Sequence, residues 1–250
     1  MPPADATFAD TLLDVADVEG WMTNGQARLL WDAAQRVPES GRVVEIGSFR
    51  GRSMVVLARS ADPSVELVAI DPHAGNDRGP QEIDGFVDEA AQDHAVFNAN
   101  LEKAGVRDRV RHLRKFSDAA HADVDGSVDL LYVDGAHRFA PARADIRSWG
   151  DRVVPGGTML IHDSFSSVGV TLAILRELFL GRKWRYVGRS ESMTEYRRED
   201  LAPKARLANA VHQSLELGWF ARNLLIKVLI TAKLGRLTRL LGHDPSVWPY

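Results

Sequence analysis

The stretch that decides the fold is VVEIGSFRGRS, at positions 43–53. It begins as a short apolar run, reaches an acidic residue and continues through two glycines, Gly47 and Gly51. The pattern predicts a buried strand that breaks into a tight turn and then a helix, which lays backbone N–H groups against a nucleotide-like ligand. This point of the chain is therefore predicted to be a strand-turn-helix unit of a doubly wound sheet.

The spacing of the acid and the glycines distinguishes two kinds of ligand. The motif is E-x-G-x-x-x-G, with Glu45 before the first glycine, whereas dinucleotide-binding turns follow G-x-G-x-x-G. A pyrophosphate at the turn disfavours a nearby anion, but the ammonium and sulfonium groups of S-adenosylmethionine attract a carboxylate. The next predicted strand ends at Asp71, roughly 20 residues on, where a carboxylate accepts hydrogen bonds from a ribose diol. The sequence therefore favours an adenosyl ligand over a nicotinamide.

Strand-like and helix-like runs alternate along most of the chain. Such alternation indicates an α/β fold, a doubly wound and mostly parallel sheet with helices on both faces. Two final strands follow each other without a helix between them and predict an antiparallel hairpin that completes seven strands. The predicted strands are 42–48, 65–71, 109–115, 128–134, 157–162, 184–189 and about 192–198, and the helices lie within 8–37 and at 51–60, about 92–104, 139–150 and 168–180.

Other segments flank this core. We expect residues 1–200 to form the main domain, 1–40 to be its N-terminal helical cover, and 201–250 to be a helical tail. Thr23 and Gln26 have the spacing of a capping box at a helix start. Residues 72–94 are rich in Gly, Asp, Glu and Asn, and a loop of that length is typical of a lid or of a disordered insertion without a role.

Composition restricts the class of protein. The 250 residues are 45% hydrophobic, carry a net charge of −3 and include no cysteine. A sizeable core is expected, and a nucleic-acid partner, a disulfide or a thiolate metal site is not. No signal peptide or membrane-spanning run is recognisable, because Lys227 interrupts the most apolar stretch. We therefore expect a cytoplasmic protein.

Two further predicted strands end in chemically active residues. One is followed by Asp134 and His137, and the next by His162 and Asp163. Ligands bind outside the carboxyl ends of the strands in such a sheet. Two carboxylates converging there repel each other unless a cation lies between them, and oxygen ligands suit Mg²⁺ or another hard divalent ion. His137 would then remove a proton from an attacking hydroxyl near neutral pH.

Over residues 20–200 the chain resembles the class I S-adenosylmethionine-dependent methyltransferases, and in particular the metal-dependent O-methyltransferases that modify sugars. The resemblance implies a Rossmann-like fold, a metal held by Asp134 and Asp163, and His137 as the base. His162 stands where the family often has a second carboxylate, and the third ligand is His162, a water or the substrate. The cofactor-binding residues that it implies are Glu45, Ile46, Gly47, Ser48, Gly51, Ser53, Asp71, Asp134 and, beside the adenine, Ser117.

Simpler interpretations of these residues remain open. Asp134 before a glycine is a common turn residue, and Asp163 is also suited to begin a helix. His137 and His162 also fit structural histidines. For function, the sequence predicts methylation of a hydroxyl of a sugar or oligosaccharide, and more narrowly of the 1-hydroxyl of a short methylated mannoside in polysaccharide biosynthesis. A catechol or small-phenol O-methyltransferase and a non-catalytic protein that binds S-adenosylmethionine are the alternatives.

The last fifty residues change character. Leucines and other apolar residues recur at helical spacing between arginines and lysines, which predicts a basic amphipathic helix. We expect it to pack on the domain or on a second subunit, and we predict a homodimer on that basis. Contact with an anionic membrane surface is the less favoured alternative.

Overall fold

The computed structural model describes residues 7–75 and 87–243. Its centre is a seven-stranded sheet with the order β3-β2-β1-β4-β5-β7-β6. All strand pairs are parallel except those that β7 makes with β5 and β6. The predicted fold class and the closing hairpin are confirmed. The strands are β1 (Arg42–Ile46), β2 (Glu66–Ile70), β3 (Val110–Leu113), β4 (Val128–Val133), β5 (Val153–Ile161), β6 (Trp184–Ser190) and β7 (Met193–Arg198).

Helices cover both faces of the sheet and continue beyond it. Two apolar layers, one on each face, contain the buried side chains, among them Trp149, Tyr132 and Phe97. No helix in the described parts of the chain is long and apolar enough to cross a membrane. The helices are α1 (Phe8–Asp14), α2 (Asn24–Ala34), α3 (Arg52–Ser60), α4 (Val87–Lys103), α5 (Phe139–Ser148), α6 (Val168–Glu177), α7 (Pro203–Ser214) and α8 (Glu216–Thr231), followed by a 3₁₀ segment, Gly235–Leu241.

The strand register explains why distant motifs meet. Ile46 at the end of β1 pairs with Val133 at the end of β4, and Val133 pairs with Ile161 at the end of β5. The residues that follow these three strands therefore leave the sheet side by side at one edge. Ligands bind at this edge in doubly wound sheets, and we call it the carboxyl rim.

The predicted capping box at the start of α2 is confirmed. The Gln26 N–H donates to the Thr23 hydroxyl at 3.3 Å, and the Thr23 N–H donates to the Gln26 side chain at 2.8 Å. Each side chain satisfies a backbone donor that the first helical turn leaves without a partner. The N-terminal helices are thus fixed locally by their own sequence.

The predicted loop over 72–94 is wrong in its last part. Helix α4 begins at Val87, so residues 87–94 are helical, and residues 76–86 lie outside the described residues. Ala90, Phe97 and Leu101 of α4 are buried. These three residues have helical spacing. The buried residue in the first turns of α4 is an alanine, however, and alanine contributes little to an apolar pattern in the sequence.

The C-terminal helices pack on the edge of the sheet and beside the carboxyl rim. Asn209 of α7 accepts a hydrogen bond from the Tyr186 N–H at 2.8 Å and donates to the Trp184 carbonyl at 3.0 Å. Tyr186 and Trp184 belong to the edge strand β6. An edge strand exposes backbone groups that can pair with another chain, and here one amide side chain satisfies two of them.

Candidate active site

The turn after β1 depends on two glycines in left-handed backbone conformations. Gly47 has φ +85° and Gly51 has φ +84°. A Cβ atom on Gly47 would lie 2.1 Å from the carbonyl oxygen of Asp134, so only glycine allows this close approach. The contact brings the turn after β1 against the loop after β4, and with it the two motifs that the sequence analysis considered separately.

Glu45 lies fully buried beneath this turn. Its Oε1 accepts a hydrogen bond from the Ser53 hydroxyl at 2.5 Å. Its Oε2 and the nearby Ser48 hydroxyl are buried and have no hydrogen-bond partner within the described chain. Burial raises the pKa of Glu45 to about 8, because a carboxylate is poorly solvated there even with the Ser53 hydroxyl as a donor. An acceptor of this kind fits a cationic ligand group, and the ammonium of S-adenosylmethionine is one.

Asp71 follows β2 and makes contacts that the sequence did not predict. Its Oδ2 accepts the N–H groups of Ser48 and Phe49 at 2.9 and 2.8 Å, and its Oδ1 accepts the His73 N–H at 2.8 Å. The carboxylate therefore fixes the turn after β1 by hydrogen bonds. The contact with a ribose stays a prediction, and Oδ1, which accepts the His73 N–H, has acceptor capacity left for it.

Ser117 connects the loop after β3 to helix α5. Its hydroxyl donates to Asp145 at 2.5 Å, and its carbonyl accepts the Trp149 indole N–H at 3.2 Å. The other oxygen of Asp145 would lie 3.5 Å from a Cβ on Gly135, and burial raises the pKa of Asp145 to about 6. Asp145 thus joins the loops on both sides of the predicted adenine position.

Asp134, His162 and Asp163 form a compact cluster at the carboxyl rim. Each offers one ligand atom, and these atoms lie within 4.8 Å of one another. The Nδ1 of His162 is 3.2 Å from Asp134 Oδ1 and 3.6 Å from Asp163 Oδ2. Nδ1 of the buried His162 ring thus faces both carboxylates, while Nε2 has no hydrogen-bond partner among the described residues. Two carboxylates and an unsatisfied imidazole fit a divalent cation.

The charges in this cluster depend on one another. Burial opposes a charge on His162, but the carboxylates of Asp134 and Asp163 outweigh it and hold the His162 pKa well above its usual value. Burial likewise opposes ionisation of Asp163, yet the facing His162 ring lowers the Asp163 pKa. Tyr132 remains protonated because burial raises its pKa, and its hydroxyl donates to Asp134 at 2.8 Å. The cluster therefore concentrates negative charge that a cation or a protonated imidazole neutralises.

His137 lies beside the cluster and is partly exposed. Its Nε2 is 3.0 Å from Asp163 Oδ2. The His137 backbone is held by α6, because a Cβ on Gly169 would lie 2.1 Å from the His137 carbonyl, and the Ser167 hydroxyl donates to the same carbonyl at 3.3 Å. A neutral imidazole on this loop can accept a proton from a group placed at the rim.

The backbone after β5 is strained and is held by α8. Asp163 and Phe165 both have φ +54°, a left-handed conformation that costs free energy in residues other than glycine. Asn223 of α8 donates to the Phe165 carbonyl at 3.2 Å, and Lys227 donates to the Ser166 carbonyl at 3.0 Å. Ser164 turns inward and contacts Thr194 at 2.7 Å. The C-terminal helix therefore supports the turn that carries Asp163.

The structure brings together most of the predicted site residues. Glu45 and Ile46 are the last two residues of β1, Gly47, Ser48 and Gly51 belong to the turn that follows, and Ser53 lies in the first turn of α3. Asp134, His137, His162 and Asp163 lie on the adjoining loops of the rim. Asp145, Asn223 and Lys227 were not predicted as site residues. Asp145 lies within a helical run, and the two α8 residues are far along the chain, so no local pattern marks any of the three.

Comparison with known proteins gives this arrangement a family context. Residues 44–164 match a methyltransferase domain. The matched segment runs from β1 to the turn after β5 and includes Gly47, Gly51 and the rim residues Asp134, His137, His162 and Asp163. The match therefore covers the turn after β1 and the cluster of Asp134, His162 and Asp163.

The relatives are similar in fold and distant in sequence. An uncharacterized Sinorhizobium fredii protein, y4gI, is 32% identical over 127 residues, which are 49% of this chain and 13% of that protein. The S-adenosylhomocysteine-bound Podospora anserina methyltransferase PaMTH1 aligns over 80% of this chain and 89% of its own, with 16% identity and a TM-score of 0.57. The calicheamicin methyltransferase CalS11 aligns over 70% and 77%, with 17% identity and a TM-score of 0.52.

The match identifies residues 44–164 as similar to a methyltransferase domain, and the aligned structures show the fold alone. The structural relatives are too distant to carry over an acceptor, because one fold hosts many substrates. The chain also spans only a small part of its curated relative. The acceptor and the role of a metal must therefore be argued from the site itself.

Proposed function

We propose that the methyltransferase domain catalyses O-methylation of a sugar or oligosaccharide hydroxyl, with a hard divalent cation at Asp134, His162 and Asp163. The single observation that carries the proposal is the position of His137, whose Nε2 is 3.0 Å from Asp163 in the cluster beside the Glu45 turn. In this proposal the proton acceptor, the cation site and the cofactor turn lie at one rim. Methyl transfer to a weakly acidic hydroxyl would use all three.

Each group has a distinct part in this proposal. Glu45 binds the ammonium of the cofactor, and the Gly47 turn lets the backbone approach it. A bound divalent cation would lower the pKa of the acceptor hydroxyl and fix its position. His137 accepts the hydroxyl proton, and Asp163 orients the His137 ring. Tyr132 directs Asp134 by donating to one of its oxygens.

The polar groups around Asp163 support a sugar over a catechol. Besides His162, the groups that act on the Asp163 carboxylate are His137 and Lys227, and Lys227 also donates to the Ser166 hydroxyl at 3.3 Å. An aromatic acceptor would be favoured by an apolar wall instead. The narrower proposal is methylation of the 1-hydroxyl of a short methylated mannoside. It rests on a whole-chain likeness to the mycobacterial methylmannose-polysaccharide 1-O-methyltransferase.

The experiment is transfer of labelled methyl groups from S-adenosylmethionine to mannosides, other sugars and catechols in the presence of Mg²⁺. We expect transfer to a sugar, and a fall in kcat of about 10²- to 10⁴-fold in His137→Ala. Cofactor affinity should stay unchanged. His212→Ala, an exposed histidine on α7, is the matched control and should keep full activity.

The other outcomes contradict specific parts of the proposal. Transfer only to catechols would replace the acceptor class. Full activity of His137→Ala would remove the general base. Cofactor binding without transfer to any hydroxyl acceptor would favour the non-catalytic alternative.

A further inference from the structure

The outer face of α8 is apolar, which is unusual for a helix at a protein surface. Leu224, Leu225 and Val228 are 40%, 47% and 55% exposed. Their spacing places them on one side of the helix. Surface helices normally turn their apolar stripe towards the core.

The inner face of α8 carries the polar contacts. Asn223 and Lys227 face the protein and donate to the Phe165 and Ser166 carbonyls. Ile226 is the apolar residue of this helix that is fully buried. Leu217, Trp219 and Phe220 of α8 also pack against the core. The exposed leucines are therefore additional to the residues that attach the helix to the domain.

The segment after α8 also exposes apolar residues. Leu234, Leu237 and Leu240 are 51%, 47% and 85% exposed. The segment is tied to α8, because the Arg222 Nε donates to the Leu241 carbonyl at 2.8 Å. We call the set Leu224, Leu225, Val228, Leu234, Leu237 and Leu240 the apolar face.

Basic residues alternate with this apolar face. Lys233, Arg236 and Arg239 are exposed and have no carboxylate at ion-pair distance among the described residues. Between residues 217 and 243 the sequence has five Lys or Arg residues and no Asp or Glu, although the whole chain has a net charge of −3. The positive charge is therefore concentrated where the apolar residues are exposed.

We propose that α8 and residues 233–241 dock the protein on an anionic lipid surface. The apolar face enters the boundary between headgroups and acyl chains, and Lys233, Arg236 and Arg239 bind lipid phosphates. A helix with exposed leucines beside basic residues binds in this way, with apolar burial and electrostatic attraction adding together. The proposal does not depend on which acceptor the rim methylates.

A second copy of the chain fits this surface less well than lipid. A two-fold dimer places the same patch of both subunits together. Here that contact would bring two basic segments against each other with no acidic residue between positions 217 and 243 to pair with them. An anionic surface supplies the missing negative charge, so charge complementarity favours it.

Docking would bring the carboxyl rim close to the lipid. The inner face of α8 contacts Phe165 and Ser166, two and three residues after Asp163. One helix diameter, about 10 Å, therefore separates the docked surface from the turn that carries Asp163.

The experiment is cosedimentation of the full chain with vesicles of phosphatidylcholine alone and of equal parts phosphatidylcholine and phosphatidylglycerol. We expect binding to the second and not to the first, with loss of binding at high salt. The triple variant Lys233→Gln/Arg236→Gln/Arg239→Gln should bind the anionic vesicles about a hundredfold more weakly than the parent, roughly fivefold for each cation removed. Leu224→Gln/Leu225→Gln/Val228→Gln should weaken binding roughly tenfold or more.

The control removes the same number of exposed cations elsewhere, as Arg28→Gln/Lys103→Gln/Arg147→Gln, and should bind like the parent. Circular dichroism and melting temperature establish that each variant is folded. Binding that is absent, that is equal for both vesicles, or that the control loses to the same extent overturns the proposal. So does a dimer in gel filtration that the leucine variant converts to a monomer, because the face would then be covered by a second copy.

Discussion

Glu45 is the residue whose environment is most at odds with its chemistry. Its carboxyl group is fully buried, and one of its oxygens has no hydrogen-bond partner in the described chain. In water this group would be ionised at neutral pH, but burial raises its pKa to about 8. The cofactor-free protein therefore carries a largely protonated Glu45 at neutral pH, and a cationic ligand would favour the ionised form.

This environment predicts a pH dependence of stability. The ordinary pKa of Glu45 is 4.5 and the folded value is about 8, so between these values the folded state retains a proton that the unfolded state has lost. The free energy of unfolding should then fall as pH rises from 4.5 to 8. Glu45→Gln should remove this decline and exceed the parent by a few kcal/mol above pH 8. Urea denaturation over this range measures it, and parallel curves for the two proteins would contradict the assignment.

The positions of single residues at the strand ends could be predicted where a motif surrounds them, and their roles stay predictions. The Glu45 turn and the acids after β4 and β5 follow strand ends, and parallel strands bring such ends to one edge. Asp145 was not predicted because it accepts a hydrogen bond from Ser117 and lies close to Gly135, and both residues are separated from it in sequence. Asp71 was expected at a ribose, but its carboxylate accepts N–H groups of the turn, a contact that depends on the exact loop path.

At the level of elements, the turn between β1 and α3 determines whether the rim can assemble. Gly47→Ala would place a Cβ 2.1 Å from the Asp134 carbonyl in a left-handed conformation. We expect a loss of about 2 to 4 kcal/mol of stability and a loss of cofactor binding. Gly218→Ala is the matched control, because no atom outside its own neighbourhood lies within 4 Å of its added Cβ. It should be neutral or stabilising by up to about 1 kcal/mol.

Thermal unfolding and calorimetric titration with S-adenosylmethionine measure both variants. If Gly47→Ala bound the cofactor as the parent does, the close approach of the two loops would not be needed for cofactor binding.

Helix α4 shows which part of a helix the sequence can predict. Its first turns bury Ala90 and look like a polar loop in sequence. The larger residues Phe97 and Leu101 marked only its second half.

At the scale of the whole molecule, the C-terminal helices and the rim form one structure. The tail was predicted as a basic amphipathic helix, and the helices are present, but the face that α8 turns towards the domain carries Asn223 and Lys227. Sequence periodicity identifies an apolar stripe without telling whether it faces inward. The division of the chain at residue 200 stays a prediction.

The contact between α8 and the rim predicts an effect at a distance. Asn223→Ala leaves the Phe165 carbonyl buried without its donor, and we expect a loss of about 1 to 3 kcal/mol. Because Phe165 lies in the strained turn after Asp163, kcat should fall while cofactor affinity is unchanged. Asn24→Ala, at the exposed start of α2, is the comparison. Urea denaturation and initial rates measure both effects, and an unchanged kcat would show that α8 does not support the turn.

The measurement that tests the central claim most directly is the rate of methyl transfer to the best acceptor with EDTA and after excess Mg²⁺ is restored. The claim is that Asp134, His162 and Asp163 hold a divalent cation that the reaction needs. We predict that EDTA stops transfer, that Mg²⁺ restores it, and that Asp163→Asn is slow in both conditions, while the exposed Asp151→Asn behaves like the parent. A rate that EDTA leaves unchanged would contradict the claim.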